Sequence, residues 1–243
     1  MSVSRAASET SSHARATSWA KRSYDVAFGL LLLLVLSPLM IALALAIKLD
    51  SSGPVLYRSR RVGLRGREFS MLKFRKMHRD AAGPPLTSRN DDRLTRIGSF
   101  LSRTKLDELP QLWNVVRGEM SLVGPRPEDP QFVALYPTGF DAVLEARPGI
   151  TGLSQLAFAK EDWILERPEL AGSYVDRLLP AKIAIDTLYV RRRSIVRDTF
   201  ILAWTAAAIL FGVDVAVDRE TGSLSIRRRE PCVQASTSPE RSA

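Results

Sequence analysis

Two adjacent carboxylates, Asp107 and Glu108, stand at the centre of the run LSRTKLDELPQLWNVVRGEMSLVGPRPE, residues 101–128. Behind them Leu109, Leu112, Val115 and Val116 recur at helical spacing, Pro110 suits a first helical position and Gly118 a stop, so the pair precedes a short helix. The N-terminus of a helix attracts anions through its unpaired N–H groups and its dipole. Two carboxylates there repel a phosphate unless cations intervene, and Arg103, Lys105, Arg117 and Arg126 are the nearby ones. A magnesium ion bridging carboxylate and phosphate oxygens is the other device, with Asp107 and Glu108 as its ligands. Taken alone, an Asp–Glu pair is also what a solvated first turn carries, because the dipole favours acidic residues there.

The flanking elements must hold these groups in place. Arg126 lies between Pro125 and Pro127, which restrict the backbone on both sides and present a guanidinium with little entropy left to lose; Glu128 follows as a partner for it or for a nucleotide. Upstream, residues 57–77, YRSRRVGLRGREFSMLKFRKM, alternate basic residues with Val62, Leu64, Phe69, Leu72 and Phe74, and Gly63 and Gly66 mark a hairpin-like turn. Most of those arginines suit a solvated or headgroup-facing surface. Residues 80–90, with Gly83, Pro84 and Pro85, read as a loop. Asp91, Asp92 and Arg93 are expected to open a helix whose apolar face is Ile97, Phe100 and Leu101, the two aspartates acting as caps. Residues 180–213 carry a long helical pattern with a basic knot at 191–193 and an apolar stretch, 200–211, too short to span a bilayer comfortably.

From residue 26 to 47 the chain is apolar apart from Gly29, Ser37 and Pro38, a run of membrane length. A spanning helix is one reading; a helix that enters one leaflet, breaks at Ser37 and Pro38 and leaves by the same face is the other. Lys21 and Arg22 precede the run and Lys48, Arg58, Arg60 and Arg61 follow it, whereas a simple span leaves one side poor in cations. The first 20 residues, rich in Ser, Ala and Thr, read as a disordered lead, and residues 214–243 as a polar, largely disordered tail. A net charge of +9 implies an anionic partner: nucleic acid, an anionic membrane or a phosphorylated substrate. One cysteine, Cys232, and two histidines, His13 and His78, exclude a disulfide framework and argue against a His-ligated zinc site or a Ser-His-Asp triad. Walker A, HExxH and GxGxxG patterns are absent.

The string KLDELPQLWNVVRGEMSLVGPRPE closely resembles the signature of the bacterial sugar transferases, the monotopic polyprenyl-phosphate phosphoglycosyl transferases. DDRLTRIG, residues 91–98, and RPGITGLSQ, residues 147–155, resemble further family strings. The resemblance implies an α+β, mostly helical fold: an N-terminal re-entrant helix-break-helix over residues 21–49, then a small cytosolic catalytic domain with interfacial helices, residues 50–213. It implies transfer of a sugar 1-phosphate from a nucleotide sugar, usually a UDP-sugar, to polyprenyl phosphate, with Mg2+. The localisation implied is the cytoplasmic face of a bacterial inner membrane, with membrane lipids and no nucleic acid as partners. Asp107 and Glu108 become the catalytic pair. Lys73, in a KFRSM-like string, becomes an active-site lysine, with Arg75, Arg103, Arg126, Glu128 and Arg147 as further phosphate-site residues. Ser102 stands where an arginine is frequent and Ser154 where a tryptophan is, and residues 157–162 replace an SGR-like continuation. A metal-assisted phosphoester or pyrophosphate hydrolase and a non-catalytic, membrane-anchored basic protein are the rival readings.

Overall fold

The computed structural model describes residues 2–79, 81, 91–159 and 174–227, with side chains from residue 19 onward. Most of the expected loop at 80–90, the residues after 227 with Cys232, and the end of the 157–162 replacement lie outside the described residues. Helix α1, Ser2–Asp50, is one continuous element. The expected disordered lead is therefore helical backbone, in keeping with a segment that holds no glycine or proline before residue 29.

Nor does α1 break at Ser37 and Pro38. A proline leaves the carbonyl four residues earlier without its helical donor, here that of Leu34. The Ser37 hydroxyl donates to that same Leu34 carbonyl at 2.7 Å, so the serine makes good the bond that the proline removes and the helix continues.

Both ends of the apolar run of α1 are fastened to one folded domain. At the N-terminal end, Arg22 donates to the carbonyls of Val115 and Val116 at 2.6 and 2.7 Å, and Lys21 bridges Asp25 and Asp198 at 2.7 and 2.8 Å. Asp25 also accepts from the Leu122 backbone N–H. At the other end Leu43 and Ile47 are buried against Phe74 and Leu101. Between these fastenings Leu30, Leu31, Leu34, Val35, Ile41 and Leu45 face outward, an apolar stripe without protein cover.

After α1 come strands β1, Leu56–Val62, and β2, Glu68–Phe74, an antiparallel hairpin in which Tyr57 sits opposite Lys73. Helix α2, Arg96–Thr104, starts later than the sequence implies. Its N-cap is Thr95, whose hydroxyl accepts from Gly98 N–H at 2.9 Å, while Asp91 folds back onto the side chain and N–H of Arg93. Acidic residues suit a first turn, but a Thr cap followed by the close approach of Gly98 decided the start. A Cβ on Gly98 would lie 1.8 Å from the Lys76 carbonyl, so only glycine lets α2 close onto the end of β2.

A 3-10 turn, Leu106–Glu108, leads into α3, Gln111–Arg117, which ends at Gly118 with φ 85°. Strand β3, Ser121–Val123, pairs in parallel with β4, Gly149–Thr151. Helices α4, Pro130–Leu135, and α5, Pro137–Phe140, lie between them. Short helix α6, Leu153–Ala157, follows β4. A wide π-helical turn, Tyr174–Leu178, feeds α7, Leu179–Arg191, and Ser194 caps α8, Ile195–Phe211. The long C-terminal helical pattern is thus two helices, parted at the basic knot.

The tail expected to be disordered begins as a hairpin, β5 Val215–Val217 with β6 Leu224–Ile226. Its turn is held by Asp218, which accepts from the N–H groups of Glu220 and Thr221, and by Arg192 and Arg197, which both donate to the Thr221 carbonyl. The core packs Leu112, Val115, Met120, Leu122, Leu153, Ile185, Tyr189 and Ile201 between α3, the β3–β4 pair, α7 and α8.

Candidate active site

Asp107 and Glu108 occupy the 3-10 turn between α2 and α3, a site made by the reversal at Lys105. Lys105 holds φ 58°, ψ 15°, a left-handed conformation uncommon for a residue with a Cβ, and it ends α2 so that the next two side chains turn back toward β2. Asn114 sets the distance between those elements. Fully buried on α3, it accepts from Leu72 N–H at 3.0 Å and donates to the Ser70 carbonyl at 2.9 Å, pairing its amide with the free edge of β2. The adjacent β2 residue, Lys73, then reaches Glu108, Nζ to Oε1 2.8 Å, while Lys76 lies 4.0 Å from Asp107 and 3.5 Å from the Ser102 hydroxyl.

The two carboxyls are driven in opposite directions. Burial pushes Asp107 up, and the neighbouring Glu108 charge adds to this against the pull of Lys73, Lys76 and Lys105. For Glu108 burial also acts upward, but the charges of Lys73, Arg126 and Lys105 and the Lys73 hydrogen bond outweigh it and hold the group at about 2. Asp107 is thus the more basic oxygen donor and Glu108 a permanent charge, the separation of roles that nucleophile and electrostatic partner require.

Glu108 and Arg126 reach the wall of a cavity of about 310 Å³, together with Lys105 and Lys182. Arg126 is placed by its own backbone: its N–H donates to Asp186 Oδ2 at 3.2 Å. Burial pushes Asp186 up to about 7, with Glu128 adding to it, against the Arg126 N–H and Lys182. Glu128 is buried behind the turn, with the Tyr174 hydroxyl 3.4 Å from Oε2, and Lys182 Nζ stands 3.3 Å from that hydroxyl. It therefore supports the Arg126 turn from within.

Three expected phosphate ligands stand elsewhere. Arg75 is buried, donating to the carbonyls of Ser51 and Ser52 at 2.8 and 2.6 Å, where it clamps the turn that follows α1. Alternation along β2 would put it on the face of Lys73, but the strand ends at Phe74 and the chain turns away. Arg147 donates to the Gly118 carbonyl at 2.9 Å, capping α3. Its neighbours Gly149 and Gly152 explain the rest of that string: a Cβ on either would stand 2.1 Å from the Gly124 backbone, so these glycines let the loop cross directly beneath the Arg126 turn. Arg103 is exposed on α2, and no contact among the described residues ties it to the pair. Sequence reasoning misses Lys182, whose signal is a single cation four residues before Asp186 in the otherwise apolar run 179–185.

The donor set suits one kind of metal. No group of three or more His, Cys, Asp or Glu stands together among the described residues, so a complete protein cage is absent from them. Two adjacent carboxylates are what a magnesium ion sharing its shell with phosphate and water uses, and Asp107 and Glu108 fit that role.

A membrane-length apolar helix is laid on a small domain, and a carboxylate–lysine cluster stands beside the cavity that this helix helps to wall. The family model described as bacterial sugar transferase matches residues 16–212, and the chain belongs to that family. It is 42% identical over 196 residues to the UDP-glucose:undecaprenyl-phosphate glucose-1-phosphate transferase of Caulobacter vibrioides, covering 78% of this chain and 69% of that protein. It is 41% identical over 197 residues to the protein of the same name from Xanthomonas campestris pv. campestris, covering 79% of this chain and 39% of the relative. With the exopolysaccharide production protein PSS of Rhizobium leguminosarum bv. phaseoli it shares 40% identity over 199 residues, 78% of this chain and 94% of the other. The chain thus spans nearly all of one relative and well under half of another.

Proposed function

We propose that this chain transfers a sugar 1-phosphate from a nucleotide sugar, a UDP-sugar in the main reading, to polyprenyl phosphate, releasing the nucleoside monophosphate and priming exopolysaccharide or glycoconjugate synthesis. The observation that carries this reading is the pairing of opposed carboxyls, Asp107 raised by burial and Glu108 held ionised by Lys73, beside a cavity open to the anchor. The relatives' names support it.

In the first step an Asp107 carboxylate oxygen attacks the β-phosphorus of the donor. A bond from that oxygen to phosphorus forms, the bond from phosphorus to the bridging oxygen breaks, and the nucleoside monophosphate leaves with the electron pair. In the second, a polyprenyl phosphate oxygen attacks the same phosphorus and Asp107 is released as carboxylate. Lys73 and Lys76 offset charge around the pair, and Arg126, placed by Asp186, offers its guanidinium to the phosphates. A magnesium ion held by Asp107 and Glu108 would polarise phosphate oxygens.

We place the domain at the cytoplasmic face of the inner membrane, because nucleotide sugars are made in the cytoplasm. We read α1 as embedded from one face, lying in the plane of the membrane, because Lys21, Arg22 and Asp25 before the apolar run and Leu43 and Ile47 near its end hold the same domain.

The test is incubation of detergent-purified protein with magnesium and a panel of UDP-sugars without acceptor, followed by intact mass and peptide mapping. A sugar-phosphate adduct on Asp107, lost in Asp107→Asn, is the expected result. Turnover with polyprenyl phosphate but no adduct would replace the two-step route by direct transfer. Steady release of free sugar phosphate without acceptor would favour the hydrolase.

A further inference from the structure

Lys182, on α7, is 2% exposed. Its Nζ lies 4.7 Å from the centre of the Tyr174 ring and 6.0 Å from that of Phe158, with the Tyr174 hydroxyl at 3.3 Å. Aromatic faces stabilise a cation without neutralising it. Phe158 and Lys182 both line the cavity beside Glu108, so the charged end of the lysine stands at the cavity wall while its stem lies in the core.

Asp186 follows one turn later on the same face of α7 and accepts from the Arg126 N–H at 3.2 Å. The proline turn and α7 thus bring Arg126 and Lys182 to one end of the cavity. Ser154 and Gln155 line it as well. The serine hydroxyl donates to Gln155 Oε1 at 3.0 Å and Gln155 Nε2 to the Gly149 carbonyl at 3.2 Å, which leaves the serine lone pairs and a second amide N–H to meet a polar ligand.

Glu108 faces this cavity and Asp107 does not; Asp107 has Lys76 beside it, at 4.0 Å. An in-line displacement sets the attacking and departing oxygens on opposite sides of phosphorus. With Asp107 attacking from the β2 side, the departing phosphate points into the cavity, toward Arg126 and Lys182.

We propose that Lys182 donates a hydrogen bond to the leaving phosphate of the nucleotide sugar, with the Tyr174 ring and hydroxyl holding the ammonium in place. The proposal rests on the transferase reading of the same site and assigns a residue to its departing group. As the bond from phosphorus to the bridging oxygen breaks, the nucleoside monophosphate takes the electron pair and gains negative charge. A charged donor fixed in a site shut from water stabilises that phosphate more than it does the bound diphosphate. The ammonium keeps its protons throughout.

The test uses the full chain in detergent with a UDP-sugar and no acceptor. In Lys182→Met the rate of adduct formation on Asp107 is expected to fall at least about tenfold, and the inhibition constant of UMP to rise by about as much. Lys182→Arg, which keeps the charge, is expected to recover most of the UMP affinity. A merely structural lysine would leave UMP inhibition of the folded Lys182→Met protein unchanged. A loss confined to the KM for polyprenyl phosphate would place Lys182 at the acceptor instead. Either result overturns the proposal, whereas absence of both half-reactions in the unmodified protein overturns the transferase reading itself.

A second measurement does not depend on that variant folding. A uridine whose phosphates are replaced by a fluorosulfonylbenzoyl group puts an electrophilic sulfur where the phosphates lie. In mildly alkaline buffer an unprotonated lysine amine attacks it, a sulfur–nitrogen bond forms, fluoride leaves and the amine gives up a proton to solvent. With the unmodified protein the label is expected on Lys182 and is expected to be blocked by UMP. Label blocked by UMP but confined to Lys73, Lys76 or Lys105 would give the leaving phosphate to those residues and overturn the assignment of Lys182.

Discussion

Lys73 governs both carboxyls of the site, holding Glu108 ionised through a 2.8 Å contact and opposing the rise that burial imposes on Asp107. The sign of its removal follows. In the proposed mechanism Asp107 attacks only as carboxylate, so the rate is expected to fall as pH drops through its raised pKa. Lys73→Met takes away a charge that lowers that pKa, and the acid limb of kcat/KM moves to higher pH. Loss of one charge-stabilising contact should also cut the plateau by about 10²-fold. A pH–rate series on both proteins checks this, and an acid limb that stays in place would remove Lys73 from control of Asp107. The lysine was legible in the sequence through its family string. That Arg75, two residues on, would instead clamp the turn after α1 was not, since strand alternation alone gives both side chains the same face.

At the level of elements, the junction of α1 with α8 is polar and buried. Lys21 stands between Asp25 and Asp198, and the Tyr189 hydroxyl, 2.8 Å from Asp198, reaches the Val123 carbonyl as well. Asp198 is 1% exposed. Lys21→Met leaves two carboxylates without their common cation, a cost of roughly 3–5 kcal/mol, and should lower the melting temperature by roughly 10 °C in detergent. Lys21→Arg, which keeps the charge, should recover much of that loss. A melting temperature unchanged in Lys21→Met would mean that the helix is held by its apolar contacts alone. This clamp also fixes one wall of the cavity, so the element that anchors the protein is tied to the geometry of its site.

For the whole molecule, attachment of both ends of the apolar run of α1 to one domain predicts the topology. Single cysteines at Trp19 and Leu49, 72% and 87% exposed, in a Cys232→Ser background should be labelled by an impermeant maleimide from the same side of sealed vesicles. Labelling from opposite sides would establish a spanning helix and end the one-face reading. The cations flanking the apolar run on both sides gave this expectation; the expected break at Ser37 and Pro38 gave way to a continuous helix because the serine hydroxyl replaced the missing bond.

Features written in local pattern were determined by the sequence: the apolar run, the hairpin turned at Gly63 to Gly66, the Asp107–Glu108 pair ahead of its helix and the arginine between two prolines. Each depends on residues a few positions apart, where periodicity, turn chemistry and φ restriction act. Tertiary structure alone decided which cations meet the pair and which line the cavity beside it. Lys73 and Lys76 arrive because Asn114 joins α3 to the edge of β2, and Lys182 and Arg126 because α7 passes behind the proline turn. Arg147 is drawn to the end of α3 instead, and Arg103 remains in solvent. These choices join residues far apart in the chain through buried hydrogen bonds and the close backbone crossings at Gly98, Gly149 and Gly152, and no local spacing records which distant segment will approach.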